Sequence, residues 1–276
     1  MNFEFYNPTR VLFGAGNLEK LGEVVKEYGH KALLVTGGGS VKRNGTFDKA
    51  VTSLKKAGID FIECDGIAPN PRISSVRKGA KLVKDNNCDV VVALGGGSVM
   101  DCSKAIAAGA MYDGDPWDMI YHGQENVYIP KEALPVITVP TLAATGSEMD
   151  PDGVISNEDT KEKSFVHSEV LYPKVALVDP ELTLTVPQNQ TGYGVCDIIV
   201  HITESYFNGV DGTPLQDSFS LSTIKNCIFY GLKAYENGHD LEAREQVQWD
   251  SIVALNGFIS CGTHGAFPVH MIEHTV

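Results

Sequence analysis

Asp89-Val-Val-Val-Ala-Leu94 is an unbroken apolar run that stops at three glycines, Gly95-Gly96-Gly97, and gives way to a helical stretch over 98–111. A strand with no polar alternation is covered on both faces, the condition of a parallel sheet flanked by helices. The same order recurs on either side. Lys31-Ala-Leu-Leu-Val-Thr36 reads as a strand ending at Gly37-Gly38-Gly39, 47–54 as a helix, Asp60-Phe-Ile-Glu-Cys64 as a strand and 76–83 as a helix. Leu134-Pro-Val-Ile-Thr-Val139 and Lys174-Val-Ala-Leu-Val178 add two strands, with a loop and hairpin between 145 and 168. Strands alternating with helices predict a doubly wound α/β domain.

After about Pro187 the pattern changes. Three segments, 192–208, 214–235 and 241–260, have helical spacing and almost no strand-like alternation follows. The expected organisation is an α/β domain over 1–185 and an all-α domain over 186–276. A last amphipathic segment, 267–276, meets the end of the sequence within its second turn, so the helical domain reads as incomplete.

Charge narrows the ligands. Lys and Arg number 22 against 35 Asp and Glu, a net charge of -13, which disfavours nucleic acid and anionic membranes. No apolar stretch approaches the ~18 residues of a membrane span. The first ten residues lack the basic and apolar regions of a secretory signal. Six scattered cysteines without a CxxC pair read as reduced thiols of a cytoplasmic protein.

The glycine turn Gly95-Gly96-Gly97-Ser98 lets a ligand approach the backbone, and Ser98 reads as the N-cap of the following helix, whose free amides suit a pyrophosphate. The spacing is not GxGxxG, and a tight turn without ligand is the plainer alternative. At Gly37-Gly38-Gly39-Ser40 no carboxylate stands where a dinucleotide fold binds the adenosine ribose. With Lys42 and Arg43 nearby this favours NADP over NAD, against the alternative of a surface loop with two solvated cations. Asp101 and Lys104 read as an i,i+3 ion pair. Asp197 and His201 lie four apart, as do His270 and His274. Each pair alone is most simply a surface ion pair or a core histidine. Two in one helical domain point to a divalent transition metal, Fe(II) or Zn(II). His30, His122, His167, His239 and His264 read as surface or loop histidines.

The ordered motifs Asn2-Phe-Glu-Phe-Tyr-Asn-Pro-Thr-Arg-Val-Leu-Phe-Gly14, Ala68-Pro-Asn-Pro-Arg72, GGGSVMDCSK from Gly95, Thr138-Val-Pro-Thr141, Thr145-Gly-Ser-Glu148, Val178-Asp-Pro180, Gly194-Val-Cys-Asp197 with His201 and Glu204, and His270-Met-Ile-Glu-His274 resemble the iron-containing (group III) alcohol dehydrogenases. TGGGSVKRNG and the HMIEH run are similar to their butanol-dehydrogenase-like branch. The resemblance implies a dinucleotide-binding α/β domain, an all-helical domain of the dehydroquinate-synthase-like architecture and an active site between them. It also implies metal-dependent, NAD(P)-linked interconversion of small primary alcohols and aldehydes. By the same resemblance Gly95, Gly96, Gly97 and Ser98 hold the pyrophosphate, Gly38 and Ser40 face the adenosine end, and Thr138, Thr141 and Lys163 line the cofactor further in. Asp197, His201 and His270 are implied metal ligands, and His274 is implied beside the nicotinamide or substrate, where it relays the alcohol proton. The family's fourth ligand, a histidine one helical segment further on, falls beyond Val276. The alternatives are a cofactor-binding remnant without turnover, a glycerol-dehydrogenase-like enzyme, and, less favoured, a dehydroquinate-synthase-like lyase. An incomplete helical domain is also expected to expose apolar surface and to associate into a homo-oligomer.

Overall fold

The computed structural model describes residues 2–121, 126–207, 210–263 and 268–273. It divides into two compact units, one formed by Pro8–Thr141 with Pro151–Asp179, the other by Met1–Asn7, Leu142–Asp150 and Pro180–Val276.

The first unit is the α/β layer structure that alternation predicts. Its strands are β1 (Arg10–Phe13), β2 (Lys31–Gly37), β3 (Asp60–Ile67), β4 (Val90–Gly95), β5 (Val136–Pro140) and β8 (Val175–Val178), all parallel, in the order β1-β8-β5-β4-β2-β3. Helices α1 (Leu21–Lys26), α2 (Ser40–Arg43), α3 (Thr46–Lys56), α4 (Ile73–Asn86) and α5 (Gly97–Ala110) connect them. Every residue of β4 is buried, because helices cover both faces of the sheet centre. The core beneath α4 and α5 includes Val76, Val83, Val91, Ala93, Met100 and Ile106. Residues 145–168 contain the expected hairpin, β6 (Asp152–Asn157) antiparallel to β7 (Glu162–His167). The β6 strand packs on α5, where the Asp101 carboxylate accepts the Val154 N–H at 3.0 Å. Asp101 thus ties the hairpin to α5, and the Lys104 side chain three residues on is fully buried.

The second unit holds α6 (Gln188–Tyr206), α7 (Pro214–Glu236), α8 (Leu241–Leu255) and α9 (Pro268–Glu273). Ile198, Ile202, Cys227, Ala243 and Val247 form its core. Two glycines set how closely α6 packs: a Cβ on Gly231 would sit 2.8 Å from Val195, and one on Gly194 would sit 2.3 Å from the Ala143 carbonyl oxygen. The buried Arg244 guanidinium ties α8 back to the start of α6, donating to Thr191 Oγ1 at 2.7 Å, Gly238 O at 3.0 Å and Val186 O at 3.3 Å. This unit takes in more of the chain than 186–276. Asn7 Nδ2 donates to Met149 O at 2.8 Å and to Asn256 O at 3.0 Å, and Phe5 packs edge-on against Phe258, so residues 1–7 and 142–150 fold with the helices. Among the described residues no helix is long and apolar enough to cross a membrane.

Candidate metal centre and nucleotide turn

Helix α6 carries Asp197, His201 and Glu204 at positions i, i+4 and i+7, which places all three on one face. His270 comes from α9. One ligand atom from each of Asp197, His201 and His270 falls within 4.8 Å of the others. His270 Nε2 stands 3.5 Å from Asp197 Oδ1, and His201 Nε2 stands 4.0 Å from the same oxygen. The two imidazoles stack with centroids 4.3 Å apart and planes 10° from parallel. His270 Nδ1 meets Glu204 Oε2, while Glu204 Oε1 accepts the backbone N–H groups of Val269 and His270. Among the described residues His201 Nδ1 is buried without a hydrogen-bond partner.

These separations decide what the cluster suits. At 3.5 and 4.0 Å the nitrogens are too far from Asp197 for good hydrogen bonds. Ligands at ~2.1 Å from a tetrahedral divalent ion lie about 3.4 Å from one another, so the spacing fits a shared cation. The donor set, one carboxylate and two imidazoles, suits Fe(II) or Zn(II). Burial lowers the His201 pKa, against the opposing pull of Asp197, which favours the neutral, ligating form. Burial also acts to lower that of His270, but the facing carboxylates of Asp197 and Glu204 outweigh it and hold His270 above its usual value. An arriving divalent ion competes for the lone pair that this proton occupies.

In the α/β unit the two glycine runs end neighbouring strands. Val35 pairs with Ala93 and Thr36 with Leu94, and the strand order reverses direction between β2 and β4. Ligands of open α/β sheets bind beyond the carboxyl ends of strands at such a reversal. Gly96, in extended conformation, is the N-cap of α5, and no side chain caps this end. The expectation of Ser98 as N-cap is therefore corrected: the helix starts one residue before it, and its first amides meet no capping side chain. Gly95 is needed for space, since its Cβ would sit 2.5 Å from Val99, and neither Gly95, Gly96 nor Gly97 has positive φ. Thr141 joins the turn through its N–H, which donates to Gly95 O at 3.0 Å. Thr138 is fully buried in the sheet and its hydroxyl donates to Val175 O at 3.4 Å. Gly38 and Ser40 are exposed past β2, and Lys163 lies on β7 opposite Ser156. Lys42 is engaged by Glu63 at 2.5 Å and Asp65 at 3.3 Å, and Arg43 donates to Gly38 O at 3.4 Å. His30, His167 and His239 are exposed, His167 against Asp152 at 2.7 Å. His122, His264 and His274 lie outside the described residues.

Comparison with known proteins agrees with this chemistry. The family described as iron-containing alcohol dehydrogenase matches residues 8–180, and the C-terminal part of the Fe-containing alcohol dehydrogenase family matches 191–276. The chain belongs to the iron-containing alcohol dehydrogenase family. It is 46% identical to NADH-dependent butanol dehydrogenase A of Clostridium acetobutylicum, over 99% of this chain and 69% of that protein. It is 37% identical to the NADPH-dependent aldehyde reductase YqhD of Escherichia coli, over 99% of this chain and 70% of that one. The crystal structure of NADH-dependent butanol dehydrogenase A from Thermotoga maritima superposes with a TM-score of 0.95 at 42% identity, covering 99% of this chain and 68% of that one. Within this family member, Glu204 is the residue for which sequence reading found no role. Its signal was present, because seven residues after Asp197 falls on the same helix face as Asp197 and His201.

Proposed function

We propose that this chain is a metal-dependent, nicotinamide-linked oxidoreductase that interconverts primary alcohols and aldehydes by hydride transfer. The observation that carries the reading is the convergence of Asp197, His201 and His270 ligand atoms within 4.8 Å. A divalent ion bound there supplies Lewis acidity toward the substrate oxygen. The protein's part is to fix that ion through one carboxylate and two imidazoles. At the glycine turn, the amides of Gly97 and Ser98 at the start of α5 suit the cofactor pyrophosphate, with Gly95, Gly96 and Thr141 shaping the approach. Gly38 and Ser40 are assigned to the adenosine end and Lys163 to the cofactor further in. His274 is assigned to moving the alcohol proton, since an imidazole titrates near neutral pH.

At the adenosine end we favour NADH over NADPH, reversing the expectation drawn from Lys42 and Arg43. Lys42, which would otherwise attract a 2'-phosphate, already faces two carboxylates, Glu63 and Asp65, and the cluster has a surplus negative charge. Activity in the cytoplasm fits six cysteines that are all free thiols. Association of chains fits the apolar side chains Leu221, Ile228, Phe229 and Leu232, all more than half exposed on α7 (52–57%).

The test is NADH oxidation with butanal, and the reverse with butanol, on the purified chain loaded with Fe(II) or Zn(II). Turnover that requires the metal and runs better with NADH than NADPH is the expected result. Cofactor binding without turnover under any metal would overturn the reading and favour a binding remnant.

A further inference from the structure

We infer that Glu204 is the positioning residue of the metal centre, fixing both the placement and the tautomer of His270; the inference rests on the metal-centre reading above. Glu204 is buried, its side chain 3% exposed, and one carboxylate serves three donors on α9. Oε1 takes the N–H groups of Val269 and His270, the first two that α9 offers after Pro268. Oε2 takes His270 Nδ1. Backbone and ring of His270 are therefore held by a single side chain from the helix that also carries Asp197 and His201.

A carboxylate only accepts, so Nδ1 must carry the hydrogen; in the neutral ring that ligates a metal, Nε2 then holds the lone pair, on the side that faces Asp197 at 3.5 Å. Outer carboxylates of this kind orient metal-ligating imidazoles and raise their basicity. The charges agree too: Asp197 and Glu204 together balance one divalent cation between two neutral imidazoles.

Glu204→Gln separates this role from simple packing. The two backbone N–H groups require the amide oxygen at the Oε1 position, which turns the amide NH2 toward His270 Nδ1. Nδ1 then accepts, the hydrogen moves to Nε2, and the nitrogen facing Asp197 loses its lone pair. The shape and the anchoring of α9 are kept.

The experiment uses the full chain and Zn(II). Affinity is measured by chelator competition, and the histidine tautomers by imidazole nitrogen chemical shifts. Glu204→Gln is expected to bind Zn(II) ~10–100-fold more weakly, with the His270 hydrogen on Nε2 and a metal-free melting temperature close to wild type. Wild-type affinity, or Nδ1–H retained in Glu204→Gln, overturns the inference and leaves the metal centre standing. Failure of the wild-type chain to bind Zn(II) overturns the metal-centre reading itself, and the inference with it. If Glu204→Gln does not fold, Glu204→Asp replaces it. The shorter carboxylate keeps Nδ1–H but loosens its hold on the ring, so affinity between those of wild type and His270→Ala is expected, and wild-type affinity is the contrary result.

Discussion

The substitution Asp250→Asn should stabilise the helical unit more at alkaline pH than at acid pH, relative to wild type. Asp250 is 3% exposed on α8, and both of its oxygens accept from Asn226 Nδ2 at 3.0 Å. Burial pushes its pKa up to about 6, with the Asn226 hydrogen bond only partly opposing. The rise from 3.8 to about 6 corresponds to about 3 kcal/mol of cost for holding the charge in the folded state. The sign follows from proton binding. Between about pH 4 and pH 6 the folded chain holds more protons at this site than the unfolded chain, so stability falls as pH rises through that window. The full cost is present above pH 7, and about half of it at pH 5. The amide of the variant carries no charge at any pH, while any loss in its hydrogen bonding is independent of pH. The stability difference between variant and wild type should therefore be larger at pH 8 than at pH 5 by about 1.5 kcal/mol, or ~3–6 °C in melting temperature. Denaturant melts followed by circular dichroism at the two pH values measure it. A difference that does not change with pH, or that is larger at pH 5, would refute the reasoning.

Two further outcomes follow from packing. Gly194→Ala drives a Cβ to 2.3 Å from the Ala143 carbonyl, so α6 must shift one turn before Asp197; we expect ~1–3 kcal/mol of destabilisation in urea melts and weaker Zn(II) binding by chelator competition. Arg244→Ala removes the donor from which Thr191 Oγ1 and the carbonyls of Gly238 and Val186 accept. It should cost ~2–4 kcal/mol by the same melts without changing the affinity of the glycine turn for NADH.

What could be read before folding was whatever repeats at short range. The strand of 90–95 shows in its uninterrupted apolar run, and the helix of 241–255 in its spacing. The i,i+4 step from Asp197 to His201 is a property of one helix, so it too was legible. What depended on distant partners was not. The strand at Arg10–Phe13 is a four-residue edge strand paired with β8, and nothing local marks it out from the motif around it. Residues 142–150 and 1–7 join the helices through Asn7 and Phe5, contacts that span about the whole chain. The bond from the Val154 N–H to Asp101 reaches a hairpin strand 53 residues away. Gly96 displaced Ser98 as the cap because the start of a helix depends on how the preceding strand delivers the chain. Glu204 shared a visible face with Asp197 and His201, but its purpose appears only when α9 is placed against it.

Zinc or iron stoichiometry tests the central claim most directly. Wild-type chain equilibrated with a slight excess of Fe(II) or Zn(II), then freed of loose metal and assayed by elemental analysis, should retain one ion per chain, and His201→Ala and Asp197→Asn should retain far less while keeping their helical signal. A wild-type chain that retains none, or variants that retain as much as wild type, would contradict the assignment of Asp197, His201 and His270 as a metal site.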